Sequence, residues 1–352
     1  MKILAIESSC DETAAAVVEN GTTVLGSVVA SSTLMHAKYG GIVPEVAARE
    51  QLVCIIPTIE EALKQSKESL ASIDQIAITV GPGLIGSLLV GVETAKTIAL
   101  TTGKPLVPVN HVLAHMYANF VPSEKPSTMN HEPITFPAIS LVVSGGHTEL
   151  YLMKSVRDLT WLGGTLDDAA GEAFDKTARL LGFENRGGPA IQEAALQSRV
   201  SLRETKNITK LPRPILHDGT LNFSFSGLKT AILREVNKLK EKQQFNNSTI
   251  QQLAYEVQEA ITDVLVKKTL SAASQHQARS ILLSGGVAAN LRLREKIQSA
   301  INNELLPMNF FVPPVALCTD NAVYIASYAY FRGTPVDWHD ITAVPDLSVE
   351  KI

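Results

Sequence analysis

A mixed α/β protein built from two similar halves is predicted by three observations. Strand and helix patterns alternate along the chain, each half opens with three adjacent strands, and a polar, proline-bearing stretch separates the halves. A length of 352 residues agrees, because a single hydrophobic core rarely grows that large.

Lys2 to Ser8 reads as a buried strand, and Ala14 to Asn20 and Thr22 to Ser31 as two more. Asn20-Gly21 joins the last two and is a strong hairpin signal, since the tightest turns need positive φ at both central positions. Pro44 opens an amphipathic helical pattern through about Lys67, where its missing N–H costs nothing in the first turn. Pro57 falls inside that pattern and predicts a kink or a split. Ile73 to Val80 is the next strand, ending at Gly81-Pro82-Gly83. Gly86 to Thr101 is helical and closed by Gly103, and Pro105 to Val109 is a strand. Ser123 to Pro137 is polar, holds three prolines and carries the linker.

The pattern then restarts. Ala138 to Ser144, Glu149 to Ser155 and Leu159 to Gly163 read as strands, and Ala169 to Leu181 as a helix. Gly187-Gly188-Pro189 reads as a break, and a helical stretch from Ile191 fades into a polar segment through Gly219. Ser226 to Lys242 and Thr249 to Gln275 are long helical patterns. A strand from Ser280 to Leu283, a helix from Asn290 to Asn303, a short strand from Phe310 to Val312 and a helix from Asn321 to Phe331 complete the order. Topology is thus duplicated, although residues do not repeat at a fixed period. Two such units predict a ligand cleft between them.

Composition narrows the class. Hydrophobic residues make up 45% and charged residues 19%, which is globular rather than disordered. No apolar run approaches the roughly 20 residues of a membrane span, and the N-terminus lacks signal- and transit-peptide character, so a cytoplasmic protein is expected. Cys10, Cys54 and Cys318 are odd in number and lack CxxC spacing, which argues against a disulfide framework and a thiolate zinc site. With a formal net charge of −4, any nucleic-acid partner must meet a local basic patch or another subunit.

Two stretches carry chemistry. His111-Val112-Leu113-Ala114-His115 places two imidazoles four positions apart after a strand; on a helix both project from one face and can grip one ion. Such pairs also occur by chance, so spacing alone does not decide. Asp320, in Cys318-Thr319-Asp320-Asn321, is the best-placed acidic third ligand, and two histidines with one carboxylate suit Fe(II) or a catalytic Zn(II). Val142-Val143-Ser144-Gly145-Gly146 and Leu282-Leu283-Ser284-Gly285-Gly286 each put Ser-Gly-Gly at a strand end, where bare backbone can approach phosphate. The Walker pattern and GxGxxG are both absent, which argues against a P-loop NTPase or dinucleotide fold.

Together with Ile6 through Thr13, these loops resemble the nucleotide clefts of actin-like ATPases, sugar kinases and heat-shock ATPases. A narrower resemblance rests on Glu7-Ser8-Ser9-Cys10-Asp11-Glu12-Thr13, His36 through Tyr39-Gly40-Gly41 to Pro44-Glu45, Gly81-Pro82-Gly83-Leu84, the histidine pair and Ser144-Gly145-Gly146-His147-Thr148. Asp167 through Lys176, Phe223 through Lys229 and Cys318-Thr319-Asp320-Asn321 extend it in collinear order from about residue 1 to 333. These residues resemble the tRNA N6-adenosine threonylcarbamoyltransferase family. The family pattern has Met where this chain has Val112, a position expected to point away from the metal.

The resemblance implies two RNase H-like (actin-like ATPase) domains facing a central nucleotide and metal cleft. The first lobe would hold residues 1–125 and 314–352, the linker 126–137, and the second lobe 138–313. It implies an acyltransferase that moves threonylcarbamoyl from its adenylate to N6 of the adenosine following the anticodon, position 37, in tRNAs reading codons that start with A. By the same resemblance His111, His115 and Asp320 bind one metal ion, Fe(II) first with Zn(II) as the alternative. Val142, Val143, Ser144, Gly145, Gly146, Asp175, Gly188 and Asn290 hold the adenylate. Glu12 is the candidate general base, with a hairpin-end hydrogen bond as its structural alternative. His36 and His147 are left outside the metal site, and Lys210, Arg213, Lys229 and Arg234 are candidates for tRNA phosphate. Implied partners are tRNA, an inactive homologous subunit and a small P-loop ATPase. A small-molecule kinase or ATPase of the same fold is the alternative, although an ion held by histidines suits Mg-ATP poorly. A metalloprotease is disfavoured because no glutamate follows His111.

Overall fold

The computed structural model describes residues 1–36, 41–122, 133–183, 187–201, 210–303 and 307–348. Two compact units result, one of Met1–Thr128 with Pro313–Ile352 and one of Met129–Val312. Residues 123–132, which include much of the expected linker, lie outside the described residues, as do Tyr39 and Gly40.

The first unit is a five-stranded sheet of β1 (Lys2–Glu7), β2 (Glu12–Glu19), β3 (Thr23–Ser31), β4 (Gln75–Gly81) and β5 (Leu106–Asn110), in the order β3-β2-β1-β4-β5. The β2–β3 turn has positive φ at both Asn20 and Gly21, as that dipeptide predicts. The parallel strands β1 and β4 are buried nearly throughout because helices cover both faces. A short α1 (Thr33–His36) precedes α2 (Pro44–Ser66), and α2 packs with α3 (Ile85–Thr102) on one face. There Ile55, Ile59, Ala62, Val92, Ala95 and Ala99 meet Leu4, Ile6, Val17, Ile76 and Ile78. The other face is covered by α4 (His111–Tyr117) and the last helix of the chain.

Pro57 neither ends nor splits α2, which runs unbroken for 23 residues. Both Pro57 and Val53, whose carbonyl loses its helical donor, lie on an exposed stretch of the helix, so the lost bond falls on the solvent side. The segment after Gly333, given no role by its sequence, packs on this unit: Ile341 is buried in the core, and Val344 N–H donates to Val80 O at 2.7 Å.

The second unit repeats the plan. Strands β6 (Ala138–Val143), β7 (Thr148–Met153), β8 (Leu159–Gly164), β9 (Ser280–Ser284) and β10 (Asn309–Phe311) lie in the order β10-β9-β6-β7-β8. Read from the other edge this is the first sheet's order, with a hairpin-linked meander, then two parallel strands. Its helices are α5 (Ala170–Leu180), α6 (Gly187–Ser201), α7 (Ser226–Glu241), α8 (Asn247–Gln275) and α9 (Leu291–Asn303). Gly187-Gly188-Pro189 does not break the chain, contrary to expectation, but opens α6. Pro189 lies in the first turn, where no helical donor is needed. The last helix, α10 (Val323–Phe331), belongs to the first unit. No helix among the described residues is long and apolar enough to cross a membrane.

Candidate metal centre and glycine loops

Strand β5 delivers the chain to Asn110, whose Oδ1 accepts from Leu113 N–H at 3.0 Å and so starts α4 at His111. All seven residues of α4 are buried, including both histidines. Asp320 sits just before α10. There Asn321 fixes the backbone by accepting from Val323 N–H at 3.0 Å and donating to Thr319 O at 2.7 Å.

Helices α4 and α10 pack together, and the three expected ligands converge. Nε2 of His111 and Nε2 of His115 each lie 3.6 Å from Asp320 Oδ1, and one ligand atom from each residue falls within 4.8 Å of the others. A separation of 3.6 Å is too long for a hydrogen bond. It is close to the roughly 3.0–3.4 Å that separates two donors held about 2.1 Å from a shared ion. Two imidazole nitrogens and a carboxylate fit a borderline divalent ion such as Fe(II) or Zn(II), and fit Mg(II) poorly. Tyr324 closes one side, its ring tilted 41° to that of His115 with centroids 4.5 Å apart and its hydroxyl 3.4 Å from Asp320 Oδ1.

Charge inside this site is finely balanced. Burial opposes a charged His111, but Glu7, with Oε2 3.1 Å from Nδ1, and Asp320 together hold its pKa up to about 9. For Glu7, burial is outweighed by His111 and by hydrogen bonds from Ser9 and Thr79, so its carboxyl stays below the usual range. Burial raises Asp320, with His111 partly offsetting the effect.

The glycine loops meet in the second unit. Val142 pairs with Ser284 across the parallel strands β6 and β9, so both Ser-Gly-Gly stretches leave the sheet at the same carboxyl edge, where α/β sheets bind ligands. Gly285 has φ +88°, and a Cβ there would lie 2.4 Å from Val143 O, so only glycine fits. The β6–β7 turn is closed by Ser144 N–H to His147 O at 2.8 Å and backs onto α5 through Gly171, where a Cβ would lie 2.5 Å from Ser144 O. On their other sides Gly145, Gly146, Gly188 and Gly286 face open space.

The same region gathers the remaining adenylate candidates. Asp175 on α5 accepts from Gly187 N–H at the start of α6, and burial raises its carboxyl despite that bond. Asn290 caps α9 by accepting from Leu293 N–H at 3.0 Å, and donates to Gln258 Oε1 at 3.2 Å. Gln192 on α6 accepts from Leu291 N–H at 2.7 Å, tying the α6 and α9 starts together. Asp175 and Asn290 are thus partly committed to helix ends.

A family model for tRNA N6-adenosine threonylcarbamoyltransferase matches residues 23–327. The enzyme of that name from Persephonella marina is 45% identical over 345 residues, covering 96% of this chain and 93% of the relative. Its counterpart from Dehalococcoides mccartyi is 46% identical over 351 residues, covering 99% of each. The chain belongs to this family of transferases. Among solved structures, full-length HypF with phosphate and nucleotide bound aligns at TM-score 0.57 and 12% identity, covering 94% of this chain and 46% of HypF. Component A of the (R)-2-hydroxyglutaryl-CoA dehydratase of Acidaminococcus fermentans aligns at TM-score 0.50 and 13% identity, covering 94% and 98%. These two likenesses show that the fold is shared with both proteins.

In this transferase Glu12 begins β2, where Ser31 Oγ donates to its Oε1 at 3.4 Å. Burial first, then the nearby Asp320 and Asp11 carboxylates, push Glu12 up to about 9. His36 lies outside the three-ligand group: its Nδ1 accepts from Val43 N–H at 3.3 Å and its Nε2 meets Ser32 Oγ at 3.1 Å, which holds a loop. Among the basic candidates Arg213 is taken, paired with Asp263 and Glu256, whereas Lys210, Lys229 and Arg234 are exposed.

Several residues around the transferase site are silent in sequence. Gln51, buried on α2, has Nε2 within 2.9–3.3 Å of the carbonyls of Ser8, Cys10 and Glu12, so it pins the first hairpin turn. A glutamine at a core-facing position of an amphipathic helix is the signal that could have found it. Glu7 is a carboxylate ending an apolar strand and heads a stretch that carries the family resemblance, but neither mark assigned it a role.

Proposed function

We propose that this chain transfers the threonylcarbamoyl group from threonylcarbamoyl-adenylate to N6 of the adenosine at position 37 of tRNAs reading codons that start with A, releasing AMP. The observation that carries the reading is the convergence of His111, His115 and Asp320 in a chain whose two Ser-Gly-Gly loops share one sheet edge. In this reading N6 attacks the carbamoyl carbon, the bond from that carbon to the phosphate oxygen breaks, and the N6 proton passes to a base.

The backbone of Val142, Val143, Ser144, Gly145 and Gly146, with Gly188, passes flat against the nucleotide, while Asp175 and the remaining amide hydrogen of Asn290 meet its polar edges. A divalent ion held by His111, His115 and Asp320, Fe(II) before Zn(II), supplies Lewis-acid polarisation of the carbamoyl carbonyl or the phosphate. Glu12 is the proposed base. Burial first, then the Asp320 and Asp11 carboxylates, hold Glu12 up to about 9, and a positive charge beside Asp320 would offset that carboxylate's share of the shift and favour the base form.

The partner reading draws support from α2, where Leu52, Val53 and Ile56 are 65%, 69% and 51% exposed side by side. Such an apolar face on the first unit suits the inactive homologous subunit, and the small P-loop ATPase completes the set. The compartment we propose is the cytoplasm, where tRNA is available.

The test is modification in vitro with preformed adenylate, tRNA and the partner proteins, read by nucleoside mass spectrometry. Wild type yields threonylcarbamoyladenosine and His111→Ala does not. Glu12→Gln lowers single-turnover transfer by about 100-fold or more, the usual contribution of a positioned base. Full transfer by Glu12→Gln removes the base assignment, and absence of product from wild type removes the function.

A further inference from the structure

We propose that Glu7 is a positioning residue for the metal centre, holding the His111 ring so that Nε2 presents its lone pair toward Asp320. The inference rests on the metal-binding reading of His111, His115 and Asp320 and adds a residue outside that set.

Glu7 is the last residue of β1 and is 0% exposed. A buried carboxylate persists only where its oxygens are bonded, and here both are. Oε1 accepts from Ser9 N–H at 2.6 Å, and Oε2 accepts from Thr79 Oγ1 and lies 3.1 Å from His111 Nδ1. Register explains the meeting. Ile6 pairs with Ile78, so Glu7 and Thr79 are neighbours at the ends of β1 and β4; Gly81 pairs with Asn110 on β5, and His111 follows directly.

The direction of that last hydrogen bond decides the chemistry. An ionised carboxylate can only accept, so Nδ1 of His111 carries the hydrogen. In the neutral ring that binds an ion the lone pair then sits on Nε2, the atom that faces Asp320. Without Glu7 the ring could flip or take the other tautomer, and a ligand would be lost. Glu7 also bonds the Ser9 amide, so one carboxylate fixes both a metal ligand and the first hairpin turn. A carboxylate behind a ligating histidine is a recurrent way of raising its basicity and orienting it.

The experiment uses purified full-length protein stripped with chelator and titrated with Zn(II) against a chromophoric competitor, and with Co(II) for its ligand-field spectrum. Wild type binds about one ion per chain, and Glu7→Gln binds about 10–100-fold more weakly. Glu7→Asp, which keeps the acceptor but shortens the arm, recovers part of the loss. AMP binding, which reports on the second unit, stays the same in both. In the Zn(II)-loaded wild type, histidine-selective nitrogen NMR finds His111 protonated at Nδ1 and metallated at Nε2.

Should Glu7→Gln not fold, Thr79→Val removes one donor to the same carboxylate and weakens Zn(II) binding in the same direction. If wild type binds no ion, the metal reading itself is overturned. If wild type binds but Glu7→Gln or, in its place, Thr79→Val binds as tightly, or if Nδ1 of His111 carries the metal, only the role of Glu7 is overturned.

Discussion

His111 carries two competing claims on its Nε2, a proton and a metal ion, and its surroundings set the contest. Glu7 and Asp320 hold the imidazolium to about pH 9 in the metal-free protein, against an ordinary value near 6.5. Linkage gives the sign. Because the folded pKa is raised, the charged ring stabilises the metal-free fold fully below about pH 6.5, and that contribution is lost as pH rises through about 9. Metal binding at pH 7 must therefore expel about one proton, and affinity rises about tenfold per pH unit up to about 9. Calorimetry in buffers of different ionisation enthalpy checks this, and a proton release near zero at pH 7 would contradict it. The histidine pair was legible as a spacing and Asp320 as the best-placed acidic candidate, but grouping the three rested on the family resemblance, because their meeting depends on α4 packing against α10. Glu7 was not legible, since its meeting with His111 depends on the register of three strands separated by about 70 and 30 residues of chain.

The start of α5 shows at the scale of elements how a helix can shape a loop it does not belong to. Ala170 N–H is taken by Thr148 Oγ1 at 2.8 Å and Gly171 N–H by Ser144 O at 3.1 Å, so the helix end grips the β6–β7 turn rather than offering those amides to an anion. Gly171 makes the approach feasible: a Cβ would lie 2.5 Å from Ser144 O and 2.8 Å from Gly145 Cα, both backbone atoms that cannot swing aside. Gly171→Ala is expected to push the turn outward, weakening AMP binding by about tenfold, the cost of about 1.4 kcal/mol in a displaced contact. Zn(II) affinity should not change. Calorimetric titration of each ligand separates the two, and unchanged AMP binding would show that the turn tolerates the shift. At the same scale, two elements depart from what their residues predict. Pro57 predicts a kink or a split, and the split does not occur, because a missing helical donor on an exposed stretch need not end the helix. Gly187-Gly188-Pro189 contains the residues of a turn, but also those that suit a first helical turn beside Asp175.

At the level of the whole chain, one topology appears twice and carries two different sets of candidate groups. The order of strands is the same in both sheets, so both units place a hairpin turn and a glycine-bearing loop beyond the carboxyl ends of adjacent parallel strands. This duplication was readable because three adjacent strands ahead of alternating elements is a pattern of order, which survives when residues diverge. The two units differ in the groups they set beyond those strand ends. In the first unit β5 runs straight into α4, and its two imidazoles meet Asp320 just before α10; among the described residues the second unit sets glycine backbone, helix caps and Asp175 there. All three candidate metal ligands therefore belong to the first unit and all the adenylate candidates to the second. That division predicts separable binding. His115→Ala should abolish Zn(II) binding while AMP affinity stays within about threefold, under about 0.7 kcal/mol. Gly285→Ala, strained at φ +88° and crowded by Val143 O, should do the reverse. Both variants should lose transfer if, as proposed, the polarised carbonyl and the seated nucleotide act together. If His115→Ala also weakens AMP by tenfold or more, the ion contributes to holding the phosphate and its role shifts from the carbonyl to the leaving group.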